Sequence, residues 1–124
     1  MGISSIDQAV AFLQANRSTF LATVLGQEPW VRAMWLAQID DDGTIWYATG
    51  ADSNKVMQIR QNAHVSVAAG EGQHGVRLFG TAEIVTDSAI IAALWQESWT
   101  GYFTGKDDPN LLLLKIRPTR VEVW

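Results

Sequence analysis

The sequence predicts a mainly β protein with short helices, an antiparallel sheet of six to seven strands closing into a small barrel. Runs of β-branched and apolar residues of strand length recur along the 124 residues, separated by turns rich in Gly and Asp. Most of these runs follow one another directly, which is the pattern of antiparallel pairing. Three short helical stretches interleave with them, and a sheet with short helices set beside it tends to close on itself. The length suits one domain spanning residues 1–124. A small barrel is filled by its own side chains, so a large ligand must sit outside it, in a groove.

Ser5 or Asp7 can cap a first helix, in which Ile6, Val10 and Leu13 recur at helical spacing beside Phe12, ending near Asn16. Thr19 to Leu25 is the first extended run, ended by Gly26-Gln27-Glu28-Pro29. Trp30 to Ile39 is the second, and Asp40-Asp41-Asp42-Gly43 turns it back into Thr44 to Thr49 through an Asp-Gly step. Ser53 then opens a short helix through Asn62, with Val56, Met57 and Ile59 as its buried side. His64 to Ala69 is a strand, residues 70–75 a glycine-rich turn, and Val76 to Val85 a longer strand that includes Gly80. Asp87 is placed to cap a third helix carrying Ile90, Ile91, Leu94 and Trp95 on one face and decaying near Trp99 to Gly101. After a loop from Tyr102 to Asn110 come Leu111 to Ile116 and Arg120 to Trp124, two strands separated at Arg117-Pro118.

With 9 basic and 13 acidic side chains and a net charge of −4, the chain repels polyanions, which argues against nucleic-acid binding and a basic membrane-surface role. Without cysteine there is no disulfide framework, thiolate nucleophile, iron–sulfur ligation or zinc finger, and His64 and His74 do not make a zinc site. Met1 to Asp7 lacks the charged and apolar regions of a signal peptide, and no run approaches a membrane span, so the expectation is a soluble cytoplasmic protein. Six Trp against two Tyr and four Phe is a heavy indole load. Part of it is expected at the surface or at an interface.

The sharpest local constellation is Ser53-Asn54-Lys55 at a helix start, directly after the strand Trp46-Tyr47-Ala48-Thr49. Exposed N–H groups, a hydroxyl and an ammonium there suit an anion, and Arg32 on the second strand can add a guanidinium that holds phosphate bidentately. The same spacing is also that of an ordinary serine cap followed by a solvated lysine, and on spacing alone that is the commoner meaning. His74 in its glycine-rich loop reads as solvent-facing, His64 as structural, and the acidic run Asp40 to Asp42 as a solvated turn, with the same choice between turn and cation site for the loop Gly105 to Asn110.

These residues carry a resemblance. The ordered series Arg32-Ala33-Met34-Trp35-Leu36, Trp46-Tyr47-Ala48-Thr49, Ser53-Asn54-Lys55-Val56 with Ile59 and Asn62, Val65-Ser66-Val67, Val76-Arg77-Leu78-Phe79-Gly80-Thr81-Ala82 and Pro118-Thr119-Arg120-Val121-Glu122-Val123-Trp124 resembles the FMN-binding split-barrel superfamily of pyridoxamine 5′-phosphate oxidase. The Leu94-Trp95 helix and the Phe103-Thr104-Gly105 to Asp108-Pro109 loop look most like its general stress protein branch.

The resemblance implies a split barrel that binds FMN as a homodimer, with the cofactor at the interface. It places Arg32, Ser53 and Lys55, with Asn54 between them, at the FMN phosphate; Ala33, Met34, Trp35 and Leu36, with Ala48 and Thr49, along the flavin; and Trp124 at the partner's site. Three departures weigh against vitamin B6 oxidation: Ala37 stands where the oxidase has a substrate-touching Lys, Gly75 near where a Gln contacts the flavin, and the oxidase's basic, His-containing tail has no counterpart after Trp124. The expectation is a flavin-dependent oxidoreductase of unidentified substrate, with a flavin carrier or stress-response binder as the alternative and deazaflavin or haem as other ligands of the same barrel. On this reading Trp95 belongs to the core face of its helix, Trp35 and Trp46 surround the flavin groove, and Trp30 and Trp99 sit at the rim or interface.

Overall fold

A computed structural model describes residues 5–124; Met1 to Ser4, on which the reading of the leader partly rests, lie outside them. The elements are α1 (Ser5–Ala15), β1 (Ser18–Leu25), β2 (Glu28–Trp35), β3 (Gln38–Ile39), β4 (Ile45–Gly50), α2 (Asn54–Gln61), β5 (His64–Glu71), β6 (His74–Val85), α3 (Ser88–Leu94), a 3₁₀ turn (Glu97–Gly101) and β7 (Leu111–Val123). The strands form one antiparallel sheet in the order β2-β1-β5-β6-β7-β4-β3.

That order holds the main departure from the sequence expectation. The run Trp30 to Ile39 is not one strand: β2 lies at one edge of the sheet and β3 at the other. The chain crosses between the edges at Leu36-Ala37, where the Leu36 N–H donates to the Arg17 carbonyl (2.8 Å) and the Ala37 N–H to the Trp46 carbonyl (3.0 Å). The sheet thereby curls shut without a continuous ladder across the seam, the geometry of a split barrel. The Arg17 guanidinium clips the crossing by donating to both the Leu36 and Ala37 carbonyls (3.3 and 3.0 Å), and Gln96 Nε2 donates to the Ala37 carbonyl as well (3.0 Å).

A second correction concerns the C-terminus. Arg117-Pro118 does not separate two strands, because β7 runs through it with a bulge that leaves Thr119 unpaired between Phe79↔Arg120 and Gly80↔Pro118. Proline has no N–H for the ladder, and a bulge is where a strand tolerates that. Gly80 is required opposite it: a Cβ there would stand 2.2 Å from the Arg117 carbonyl oxygen.

Two cores explain the unbroken apolar run at Leu111 to Leu114. Leu112, Leu114 and Ile116 face the barrel interior with Leu13, Leu21, Leu36, Tyr47, Val67 and Leu78. Leu111 and Leu113 face outward into a second cluster with Ala37, Trp46, Val85, Ile91 and Trp99, which α3 and the 3₁₀ turn cover. The Asp87 carboxylate caps α3, accepting from the Ala89 and Ile90 N–H groups (2.9 and 3.2 Å). Trp95 packs against this cluster with Ile90 and Leu94, as expected, but from the position just after the helix, where it meets Trp99 edge-on, centroids 5.5 Å apart. Trp99, expected at a rim, is buried at 8% exposure, and Trp46 packs beside it instead of lining a groove. Among the described residues no helix is long and apolar enough to cross a membrane.

Candidate functional site

Against the outer side of the seam lies a groove of about 920 Å³. One wall is Ala33, Met34 and Trp35 of β2; the other is Ala48, Thr49 and Gly50 of β4; Ser98, Trp99, Tyr102, Phe103 and Asn110 close a third side. Strand alternation turns Ala33, Trp35 and Ala48 outward, while Met34, which packs against the barrel core, and the buried Thr49 come from the inward rows. Trp35 and Tyr102 stand at 63% and 84% exposure, two large rings on the groove's margin. None of the lining residues is a carboxylate, lysine, arginine or histidine.

A pair of cations adjoins this groove. Lys55 Nζ donates to the hydroxyl of Thr49, a groove residue, at 3.0 Å. Burial lowers the Lys55 pKa from its ordinary value, the neighbouring Arg32 charge lowers it further, and Asp52 partly opposes both. Arg32 is lowered by burial alone. Its Nη1 donates to the Leu21 carbonyl (3.2 Å) and to Thr23 Oγ1 (2.9 Å), and its Nη2 to Gln58 Oε1 (3.0 Å), all of them neutral acceptors. Among the described residues no carboxylate forms an ion pair with either cation. Two neighbouring, partly desolvated positive charges raise each other's energy, Asp52 offsets this only in part, and a bound anion would lower that cost.

Ser53 occupies the N-cap position of α2, yet its side chain makes no capping bond, and its Oγ is buried without a hydrogen-bond partner. A buried hydroxyl left unpaired is unfavourable, so the ordinary meaning of a serine at a helix start does not account for this one. Its side chain lines a separate depression with Asp52, Val56, Met57 and Arg60.

The structure thus brings together Arg32, Ala33, Met34, Trp35, Ala48, Thr49 and Lys55. It does not bring Leu36 to the groove: that side chain is fully buried in the barrel core, with its amide and carbonyl engaged by Arg17. Asn54 is exposed on the first turn of α2, and His64 and His74 are exposed on the β5–β6 hairpin, away from the groove lining. Sequence reasoning missed Gln58 and Thr23, both fully buried, and placed Met57 on the buried side where it is 41% exposed.

Trp124 lies elsewhere. Its N–H and C=O pair with Gly75 (3.1 Å each), Arg77 stacks on its ring at 5.2 Å, and a Cβ on Gly75 would stand 2.5 Å from that ring. It sits at one end of an outer sheet face that the register makes continuous: Arg77 opposite Ala68, Ala68 opposite Phe20, Phe20 opposite Ala33, with Phe79, Ser66, Ala22 and Val31 as the parallel row. Phe20, Val31, Trp35 and Trp124 are all more than half exposed on this face.

The curled seven-stranded sheet, with an aromatic groove beside its seam and a cation pair next to it, is a split barrel. The pattern of the pyridoxamine 5′-phosphate oxidase-like proteins matches residues 4–124, and the chain belongs to that family. It is 31% identical over 108 residues to general stress protein 26 of Bacillus subtilis (strain 168), covering 83% of this chain and 76% of that protein. Among solved structures it is similar to general stress protein 26 of Bacillus anthracis (TM-score 0.85, 25% identity, 97% of this chain and 94% of the other). It is also similar to the general stress FMN/FAD binding protein of Xanthomonas citri (TM-score 0.81, 26% identity, 97% of this chain and 87% of the other).

Proposed function

We propose that the chain binds FMN as a homodimer and acts as a flavin-dependent oxidoreductase. The observation that carries this reading is the Arg32–Lys55 pair, two partly buried cations that hydrogen-bond to neutral acceptors and form no ion pair among the described residues, adjoining a groove of about 920 Å³ lined by aromatic and small side chains. In this reading the phosphate is held by Arg32 and Lys55, the ring lies against Ala33–Trp35 and Ala48–Thr49, and Ser53, whose buried hydroxyl borders the separate depression, joins the phosphate site only if its side chain turns on binding. FMN, when bound, supplies the hydride or electron transfer, and the protein supplies position and electrostatics. A second copy covers the exposed Phe20, Val31 and Trp35 face, and Trp124, at the end of the same face, reaches the partner's cofactor. Family membership and the flavin-binding relative support the ligand class. One observation favours a second reading, a carrier or sensor without a dedicated substrate: the groove lining offers no acid or base apart from the Tyr102 phenol.

The test is a fluorescence titration with FMN and with riboflavin, joined to sedimentation. FMN should bind tighter than riboflavin by about 10- to 100-fold, the worth of charge-assisted bonds to the phosphate, and the protein should sediment as a dimer. Equal affinity for the two flavins overturns the phosphate assignment, and a monomer that binds FMN stoichiometrically overturns the interface. Anaerobic mixing with NADH or NADPH separates the two roles: bleaching at catalytic rates marks the oxidoreductase, no bleaching the carrier.

A further inference from the structure

We propose that Gln58 is the positioning residue of the anion site, its side-chain carbonyl fixing the Arg32 guanidinium while leaving the charge of Arg32 free for a ligand. This rests on Arg32 holding the phosphate. Gln58 sits in α2 between Val56 and Ile59, and all three are buried. Its Oε1 accepts from Arg32 Nη2 and from the Thr23 hydroxyl, and Thr23 Oγ1 in turn accepts from Arg32 Nη1. The three side chains close a ring. With the bond to the Leu21 carbonyl, this engages three of the five guanidinium N–H groups, leaving the Nε–H and one Nη2–H for an anion.

Packing alone does not call for an amide here. A leucine or methionine would fill the space without the buried, unpartnered Nε2 that Gln58 carries. The usual partner of a partly buried arginine is a carboxylate, and a glutamate of the same length would hold the guanidinium at least as firmly. It would also cancel the charge. Only a neutral acceptor orients Arg32 without neutralising its charge. Lys55 lies three residues before Gln58, hence on a neighbouring face of the same helix. Helix α2 therefore carries one cation of the site and the group that registers the other.

Gln58→Glu and Gln58→Met are each compared with the parent protein by thermal melting and by titration with FMN and riboflavin. Gln58→Glu should melt no lower than the parent and bind riboflavin within about 2-fold of it, while FMN binding weakens by about 10-fold or more. Gln58→Met should lose part of the preference for FMN over riboflavin. If Gln58→Glu keeps that preference within about 2-fold, the proposal is wrong. Should Gln58→Glu not fold, Gln58→Met and Thr23→Val decide: an unchanged preference in both overturns the proposal. A parent protein with no preference for FMN refutes the phosphate assignment itself, a result distinct from any of these.

Discussion

Replacing Lys55 by methionine separates stability from affinity. The substitution keeps an unbranched stem and removes the ammonium. In the ligand-free protein two consequences oppose each other. The bond from Nζ to the Thr49 hydroxyl is lost, worth about 1 kcal/mol. A cation that burial and Arg32 disfavour is lost as well, which relieves the fold. Because Lys55 remains partly solvated, the relief is also modest, and the net change should stay within about 1 kcal/mol. The flavin complex has no such compensation: a charge-assisted bond to phosphate is worth about 1.5–3 kcal/mol, so the Kd for FMN should rise by roughly 10- to 150-fold. The assay is a pair of melts, without and with FMN at a concentration about 1,000 times the parent's Kd, where binding adds about 4 kcal/mol. For a domain of this size, losing 1.5–3 kcal/mol of that should shrink the flavin-induced rise in Tm by roughly 5–12 °C, with the ligand-free Tm almost unmoved. An undiminished rise would show that Lys55 does not touch the ligand. A ligand-free Tm lowered as far as the liganded one would show that the lysine is structural.

Three further outcomes follow from other parts of the fold. Burial raises the Tyr47 pKa above its usual value near 10, against the lowering effect of its 2.6 Å bond to Thr19. The unfolded chain therefore loses this proton first, and stability should fall as pH rises above about 10, by up to about 1.4 kcal/mol per pH unit; Tyr47→Phe should remove that slope in urea titrations at a cost of about 1 kcal/mol at neutral pH. Gly80→Ala forces a Cβ against the Arg117 carbonyl and should cost about 3 kcal/mol by urea midpoint, and a change under about 0.5 kcal/mol would contradict the close approach at the bulge. Trp124→Ala should weaken FMN binding about 10-fold or more with the far-UV spectrum intact, whereas full affinity would remove this residue from the partner's site.

The elements legible in the sequence are those with a local cause. Asp87 caps α3 as its position predicts, and the turn at Asp40–Gly43 closes as expected, with the Gly43 N–H on the Asp40 carbonyl (2.9 Å). What failed is what only the sheet decides. Nothing in Trp30 to Ile39 marks Leu36-Ala37 as a crossing, because both halves are equally apolar and the edges they join are set by pairings far along the chain. Trp99 reads as an element end, and it is buried because Leu111, Leu113 and Trp46 supply an outward apolar face that needs a cover. Of the candidate site, the proximity of Arg32 and Lys55 was legible from charge and spacing. Gln58 was not, since a glutamine on a short polar helix reads as solvated until a guanidinium is found beneath it.

The two walls of the groove lie on β2, one edge of the sheet, and on β4, which pairs with the opposite edge strand β3; a two-residue crossing leads from β2 to β3, and Arg17 and Gln96, which do not line the groove, hold it. The spacing of the walls is therefore tied to contacts made outside the groove lining. Relatives that keep every lining residue can diverge in the ligands they accept by altering Arg17, Gln96 or the crossing itself. Comparison of binding preferences across such proteins has to count Arg17, Gln96 and the crossing among the determinants of selectivity, although none of them lines the groove.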